Sequence, residues 1–325
     1  MKEIIVKENE ADQRLDKLLG KYLNKAPKSF IYKMLRKKNI TLNEKKADGS
    51  EKTKVGDLVK IFLSDETFEK FSEPAKVPQI HIGKTNKTPL SVIYEDEHIL
   101  LVNKESGMLV QKAKPQDYSL NDAILEYLAE KGQVTEETLK TFKPSICNRI
   151  DRNTSGLVAA GKSLLGLQEL SRLFKERTLH KYYLCYVAGH VKEKTKIRGY
   201  LWKNEKANQV EIYSKQRGDA KLIETEYCPI AQGQHTTLLE VKLITGRTHQ
   251  IRAHLASIGH PIVGDVKYGE KAVNDQYKKQ CHITSQLLHA YRIEFPKMEN
   301  RLAYLSGREF VAEVPKEFKI MEKYR

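Results

Sequence analysis

The sequence predicts an α+β protein in two parts, on three observations. Apolar residues recur at helical spacing in some stretches, as in Leu15, Leu18, Leu19 and Tyr22 or Leu164, Leu167, Leu170 and Leu173. Elsewhere they alternate or run on without a break, as in Ile99-Leu100-Leu101-Val102 and Leu157-Val158-Ala159-Ala160, which is strand-like. Between the two parts lies a polar stretch carrying Pro74, Pro78 and Pro89 with no sustained period. The expected division is residues 1–65, a linker over 66–89, and a larger unit over 90–325.

Charge narrows the function. The 325 residues carry a formal net charge of +15. A basic protein of this size points to a polyanionic partner, because neutralised phosphates release their counterions. An anionic membrane surface is the weaker alternative, and no apolar run approaches the ~18 residues of a membrane span. Met1-Lys2-Glu3-Ile4-Ile5-Val6-Lys7 has an acid and no long apolar region, unlike a signal peptide. Cys147, Cys185, Cys228 and Cys281 are scattered, with no C-x-x-C pair. That suits small buried side chains in a reducing cytoplasm and supports neither a zinc site nor a redox motif.

In the N-terminal part, residues 12–63 read as helix, helix, then short strands. Leu15 to Tyr22 form the first amphipathic helix; Ser29 or a neighbour starts a second, with Phe30, Ile31, Met34 and Leu35 inward. Ile40-Thr41-Leu42-Asn43, a turn around Asp48-Gly49, and Val55-Gly56-Asp57-Leu58-Val59-Lys60-Ile61 follow as short strands. This window holds 14 Lys/Arg against 6 Asp/Glu, roughly half of the chain's excess charge. The pattern R-L-D-K-x-L…L-R-x-x-x-I-x-x-N…G-D-x-V resembles the S-four-like RNA-binding domain. That resemblance places Arg14, Lys33, Arg36, Lys37 and Lys38 on an RNA face. It departs at Asn24-Lys25-Ala26-Pro27-Lys28. On its tether, such a domain is expected to move relative to the rest.

The second part opens with a hairpin, Ser91-Val92-Ile93-Tyr94 and His98 to Lys104, then a helix over 119–131 with Leu120, Ala123, Ile124, Tyr127 and Leu128 inward. Next comes Asn148-Arg149-Ile150-Asp151-Arg152-Asn153-Thr154-Ser155-Gly156-Leu157. Asp151 lies between two arginines in a turn-forming stretch that leads into the apolar run 157–160. Turn chemistry alone reads it as a capping carboxylate. The whole string, however, resembles the H-R-[LI]-D-x-x-T-S-G-L segment of the RluA-type pseudouridine synthases, in which the Asp is the catalytic residue. Asn148 stands where that family more often has His.

One stretch is a decoy. Gly156-Leu157-Val158-Ala159-Ala160-Gly161-Lys162-Ser163 fits G-x-x-x-x-G-K-[ST] letter for letter. A phosphate-cradling loop needs an apolar strand before its first Gly and flexible backbone between the glycines. Here the preceding residues are polar and the intervening ones are the strand, so no nucleotide cofactor is expected.

Three further stretches extend the resemblance. A helix with Leu164, Leu167, Leu170, Leu173 and Phe174 leads to His180-Lys181-Tyr182-Tyr183-Leu184-Cys185-Tyr186-Val187-Ala188-Gly189, similar to the family's K-x-Y-hydrophobic-x-x-V-x-G. Alignment on Lys and Gly selects Tyr183 as its active-site tyrosine. Thr245-Gly246-Arg247-Thr248-His249-Gln250-Ile251-Arg252 with Gly259-His260-Pro261-Ile262-Val263-Gly264-Asp265 is close to T-G-R-x-H-Q-I-R…G-H-P-I-x-G-D. There the arginine at the Arg252 position pairs with the catalytic aspartate, and Arg247 could bind phosphate. Leu287-Leu288-His289-Ala290 resembles a late L-x-L-H-A element. Residues 297–308 find no counterpart.

The resemblance implies a mixed, mainly antiparallel sheet with flanking helices and a cleft across its face. It implies isomerisation of uridine to pseudouridine in structured RNA, with ribosomal RNA of the large subunit expected ahead of transfer RNA. Asp151, Tyr183 and Arg252 would be catalytic, and Arg149 would fill the space left by a flipped base or hold phosphate. The uracil leaves its ribose, turns and rejoins through C5. A carboxylate can attack the ring, attack C1′ or remove the 2′ proton, and the sequence leaves all three open. No redox change or phosphoryl transfer occurs, so neither cofactor nor metal is expected. The remaining expectations are a monomer and a cytoplasmic location.

Overall fold

In the computed structural model, residues 1–73, 89–205 and 209–324 are described, and their strands fall into two sheets. The smaller sheet belongs to the N-terminal unit. It comprises β1 (Lys2–Ile5), β2 (Ile40–Leu42), β3 (Lys45–Lys46) and β4 (Leu58–Ile61), in the order β1-β4-β2-β3. Helices α1 (Leu15–Tyr22) and α2 (Lys28–Arg36) bury Leu15, Leu18, Leu19, Ile31, Met34 and Leu35 against Ile40, Val59 and Ile61. The amphipathic spacing read from the sequence is thus what closes this core. Strand β1, ahead of the helices, pairs antiparallel with β4, Ile4 opposite Val59.

The first residues of the expected linker are helical instead. Helix α3 (Asp65–Phe71) is capped by Ser64, whose hydroxyl accepts from the Thr67 N–H, with Asp65 and Glu66 in its first turn. Phe71 packs on Phe30 with ring centroids 4.3 Å apart, and Asn24 exchanges two hydrogen bonds with the Glu73 backbone. This segment therefore completes the N-terminal core. Residues 74–88 of the expected linker lie outside the described residues. The N-terminal unit also touches the larger one: the Leu164 N–H donates to Asn9 at 3.1 Å, and Lys7 pairs with Glu137 at 2.7 Å across an exposed contact. These contacts oppose the expectation of a freely moving domain.

The larger sheet contains β5 (Val92–Glu95), β6 (Ile99–Lys104), β7 (Ser145–Ile146), β8 (Ser155–Gly161), β9 (His180–Ala188), β10 (Thr195–Asn204), β11 (Gln209–Tyr213), β12 (Lys221–Gln232), β13 (Thr236–Leu243), β14 (Leu288–Glu294) and β15 (Glu309–Val311). Its path runs β11-β10-β12-β13-β9-β14-β8-β6-β5, with β15 on β14 and β7 on β8. Every pairing is antiparallel except β14 with β8, so the sheet is mixed and mainly antiparallel. Around it stand α4 (Leu120–Glu130), α5 (Glu136–Thr141), α6 (Leu164–Glu176), α7 (Gln250–Ser257), α8 (Lys271–Cys281) and α9 (Lys316–Glu322).

The unbroken apolar runs have a simple cause. Strands β6 and β8 are covered on both faces. Ile99, Leu101, Leu157 and Ala159 pack with Leu170 and Leu173 of α6. Leu100, Val102, Val158 and Ala160 point the other way, against Leu120, Ile124 and Leu128 of α4. Gly156 sits at φ +108, where a Cβ would run into the Ala290 backbone, so only glycine lets β8 and β14 approach. The glycine of the decoy motif therefore serves strand packing. Lys162 points away from any phosphate site, with Nζ 2.6 Å from both Glu95 Oε1 and the Asp96 carbonyl. Residues 297–308 also find their role: Met298, Leu302 and Leu305 are buried in the main core.

Candidate active site

Asp151 is mounted on the loop between β7 and β8. Its neighbours fix that loop from several sides. Ile150 packs into the core and Thr154 is buried, while Arg149 and Arg152 face solvent. The Thr154 N–H donates to the Asp151 carbonyl at 3.0 Å. Asn148 does the work of a brace: its Oδ1 accepts from the Ala159 N–H at 2.7 Å and its Nδ2 donates to the Leu157 carbonyl. The departure from His at this position keeps the loop tied to β8.

Lys104 secures the loop from below. It is 1% exposed, and its ammonium donates to the carbonyls of Glu105, Met108 and Arg152 at 2.7, 3.0 and 2.9 Å. Burial pulls this lysine down to about 7, against the opposing charges of Asp151 and Glu105. Gly107 and Arg152 add two more bonds: the Gly107 N–H donates to the Arg152 carbonyl, and Arg152 Nε donates to the Gly107 carbonyl, each at 2.9 Å. The hairpin end and the Asp151 loop thus form one body.

The third contributor is the turn into α7. Buried Gln250 organises it: Oε1 accepts from the Thr245 hydroxyl and the Arg247 N–H, and Nε2 donates to the Glu224 carbonyl. His249 caps the helix in the left-handed region at φ +53. Arg252 follows three residues later, on the same side of the helix. Its Nη1 donates to Asp151 Oδ2 at 2.8 Å. Its Nε and Nη2 donate to Asp265 Oδ2 and Oδ1 at 2.7 and 2.9 Å, a bidentate fork.

Asp265 was quoted in the sequence motif without a role. Its side chain is 0% exposed, and Oδ1 also accepts from the Lys267 and Tyr268 N–H groups. Burial would raise this carboxyl. The Arg252 bonds and charge, with the two backbone donors, win and hold it below the usual carboxylate range. Burial likewise works against the Arg252 charge, and the two carboxylates more than offset it. Tyr268 places its ring 5.2 Å from the guanidinium.

Tyr183 and Tyr182 point to opposite faces of β9. Tyr183 is 7% exposed within the main core, and burial, then the Asp151 charge, pushes its phenol up. Tyr182 instead bonds Glu294 at 3.1 Å beneath Arg292. Of the remaining sequence candidates, Arg149 and Arg247 lie on the Asp151 loop and the turn into α7, and the others lie on the N-terminal unit. Arg247 and Arg149 are exposed. Arg14, Lys33, Arg36, Lys37 and Lys38 are exposed on the N-terminal unit, where Arg14 pairs with Asp16 at 3.0 Å. Sequence reasoning overlooked Asp265, His249, Tyr268 and Lys104. Asp265 and His249 lie inside the T-G-R-x-H-Q-I-R…G-H-P-I-x-G-D stretch, which could have flagged them; Lys104 and Tyr268 lie outside it. Among the described residues, no cluster of His, Cys, Asp and Glu has metal-binding geometry, and no helix is long and apolar enough to cross a membrane.

Comparison with known proteins places the chain in a family. Residues 98–257 match the family model for RNA pseudouridylate synthases. The chain is 33% identical over 303 residues to the ribosomal large subunit pseudouridine synthase C of Vibrio cholerae, covering 92% of this chain and 90% of that protein. A protein of the same description from Pasteurella multocida is 30% identical, covering 91% and 86%. Among solved structures, human RNA pseudouridylate synthase domain containing 4 superposes with a TM-score of 0.56 at 20% identity, covering 72% of this chain and 92% of that one.

Proposed function

Because the chain belongs to the RluA-type RNA pseudouridine synthases, we propose that Asp151 is the carboxylate that performs its isomerisation and that large-subunit ribosomal RNA is the substrate. The observation that carries the first part is the 2.8 Å bond from Arg252 to Asp151, with Arg252 itself locked on buried Asp265. Such a clamp holds a charged carboxylate in one orientation at the rim of a rigid sheet.

The reaction is balanced within the nucleotide. The N1–C1′ bond breaks, a C5–C1′ bond forms, N1 gains a proton and C5 loses one. Arg252 and His249 both address Oδ2 of Asp151, which leaves Oδ1 for the substrate. Its side chain is 25% exposed, so a uridine reaches it only after leaving its stack, and exposed Arg149 beside it can take the vacated space or hold phosphate. Tyr183 offers a flat wall to the uracil. Burial first, and the Asp151 charge second, keep its phenol protonated. To take the C5 proton late in the reaction the phenol must first give up its own, and consuming the carboxylate in a bond to substrate removes only the smaller of the two effects that oppose this.

Support for a ribosomal substrate comes from the descriptions of the relatives and from the +15 charge. The basic face of the N-terminal unit would act as the RNA anchor, in keeping with its S-four-like sequence pattern. The test is Asp151→Asn, which removes the charge and keeps the shape. The chemical rate on a large-subunit ribosomal RNA transcript should drop by more than ~10³-fold with RNA affinity nearly intact. Activity within about tenfold of wild type would falsify the assignment. Activity of the wild type on transfer RNA alone would replace the substrate.

A further inference from the structure

We propose that His249 is a positioning residue for Asp151, a neutral imidazole whose Nε2–H becomes the second donor to the carboxylate oxygen that Arg252 holds. The proposal rests on the reading of Asp151 given above. Three observations carry it.

The first is the hydrogen-bond chain behind the ring. The Tyr268 hydroxyl accepts from the Val210 N–H at 3.0 Å and lies 2.9 Å from His249 Nδ1. With a donor already on its oxygen, the phenol has its own proton to give. We take it to donate to Nδ1, the tautomer that carries the ring proton on Nε2. The second is distance. Nε2 stands 4.0 Å from Asp151 Oδ2, about 1 Å beyond a hydrogen bond. Catalytic contacts of this kind commonly tighten when substrate arrives.

The third is backbone geometry. His249 has φ +53, a region sparsely populated by residues with a Cβ. The Gln250 bonds hold the turn in this form. The result is that His249 and Arg252, three residues apart, aim at one oxygen of Asp151.

Neutrality matters to the chemistry. Arg252 already spreads one full charge over Asp151 and Asp265. An imidazolium would add a second ion pair and hold back the carboxylate's electrons, whereas a neutral N–H orients it without that cost. The groups facing the ring are Asp151 from the loop before β8, Arg252 from α7, and Asp265, Lys267 and Tyr268 from the segment after α7. Burial, then Arg252 and Lys267, favour the neutral ring; Asp151 and Asp265 oppose them.

Two substitutions in the full chain separate the donor from the backbone. His249→Asn keeps a residue that tolerates the left-handed conformation but ends short of the Nε2 position. His249→Gln carries its amide out to that position. Single-turnover rates would be measured between about pH 5 and 8 on a ribosomal RNA transcript that the wild type modifies, with melting curves to confirm folding. The Asn variant should lose about 10- to 100-fold in chemical rate with little change in RNA affinity, the loss of one hydrogen bond to a charged group. The Gln variant should recover most of it. The wild-type rate should fall in acid as the imidazole charges, and that limb should move to lower pH in the Gln variant. An Asn variant at the wild-type rate, or a Gln variant with an unchanged acid limb, overturns the proposal. Asp151→Asn in parallel separates the two readings: if it stays active, the Asp151 assignment fails first; if it is dead while His249→Asn is unimpaired, only the His249 role fails.

Discussion

Replacing Asp265 by Asn tests the clamp at its buried end. The carboxylate receives four hydrogen bonds, two from Arg252 and two from backbone N–H groups. An Asn amide can accept at only one of its two positions, so the other meets a donor head-on whichever way it is flipped. Asp265 is 0% and Arg252 6% exposed, so solvent does not screen the change. Breaking a buried ion pair from one side costs about 3–5 kcal/mol. For a unit of this size each kcal/mol lowers the melting temperature by roughly 2–4 °C, so a fall of about 6–20 °C is expected. The held-down Asp265 carboxyl contributes stability above its unfolded value of about 4, and that contribution is lost as pH falls through the lower folded value. The gap between wild type and variant should therefore be full at neutral pH and shrink in acid. The freed guanidinium also misplaces Asp151, and an error of ~1 Å costs on the order of 10²-fold in rate. Scanning calorimetry from about pH 3 to 8 and single-turnover kinetics below the melting range measure both. A variant that melts within about 2 °C of wild type and reacts at its rate would refute the clamp.

Two other substitutions check the register and the decoy. Tyr183→Phe should slow the chemical step more than Tyr182→Phe, because only Tyr183 is buried beside Asp151; the reverse order would put the wrong tyrosine in the site. Lys162→Ala should leave turnover unchanged with or without ATP and lower stability by about 1–3 kcal/mol, since it removes one of the Lys162, Tyr127 and Lys131 contacts that hold Glu95 down to about 2 against its burial and takes the donor from the Asp96 carbonyl. Chemical denaturation reads the loss, and a micromolar ATP affinity abolished by this variant would contradict the strand assignment.

Local pattern carried much of the architecture. Helices α1, α2, α4 and α6 and strands β6, β8 and β9 follow from spacing, because each must bury a periodic or continuous apolar face. Asp151, Tyr183 and Arg252 were legible because each lies in a stretch whose neighbours are constrained together. Other features left weaker local signals. Strand β1 is four residues with one partner, β4, and α3 is seven residues in a polar, acidic stretch held by Ser64 and Phe71.

What the sequence alone determined is the alternation of helix and strand, the basic character, and the three motifs that contain Asp151, Tyr183 and Arg252. Tertiary structure decided which of those residues meet. Asp151 and Arg252 are 101 positions apart and touch, because folding brings the loop before β8 against α7. Asp265 joins them only because Arg252 is buried against it, and His249 only because the turn into α7 aims it at Asp151. A hydrogen-bond partner distant in sequence leaves no periodicity to read. Its identity follows from desolvation, since a buried charge must be paired where the folded chain places it.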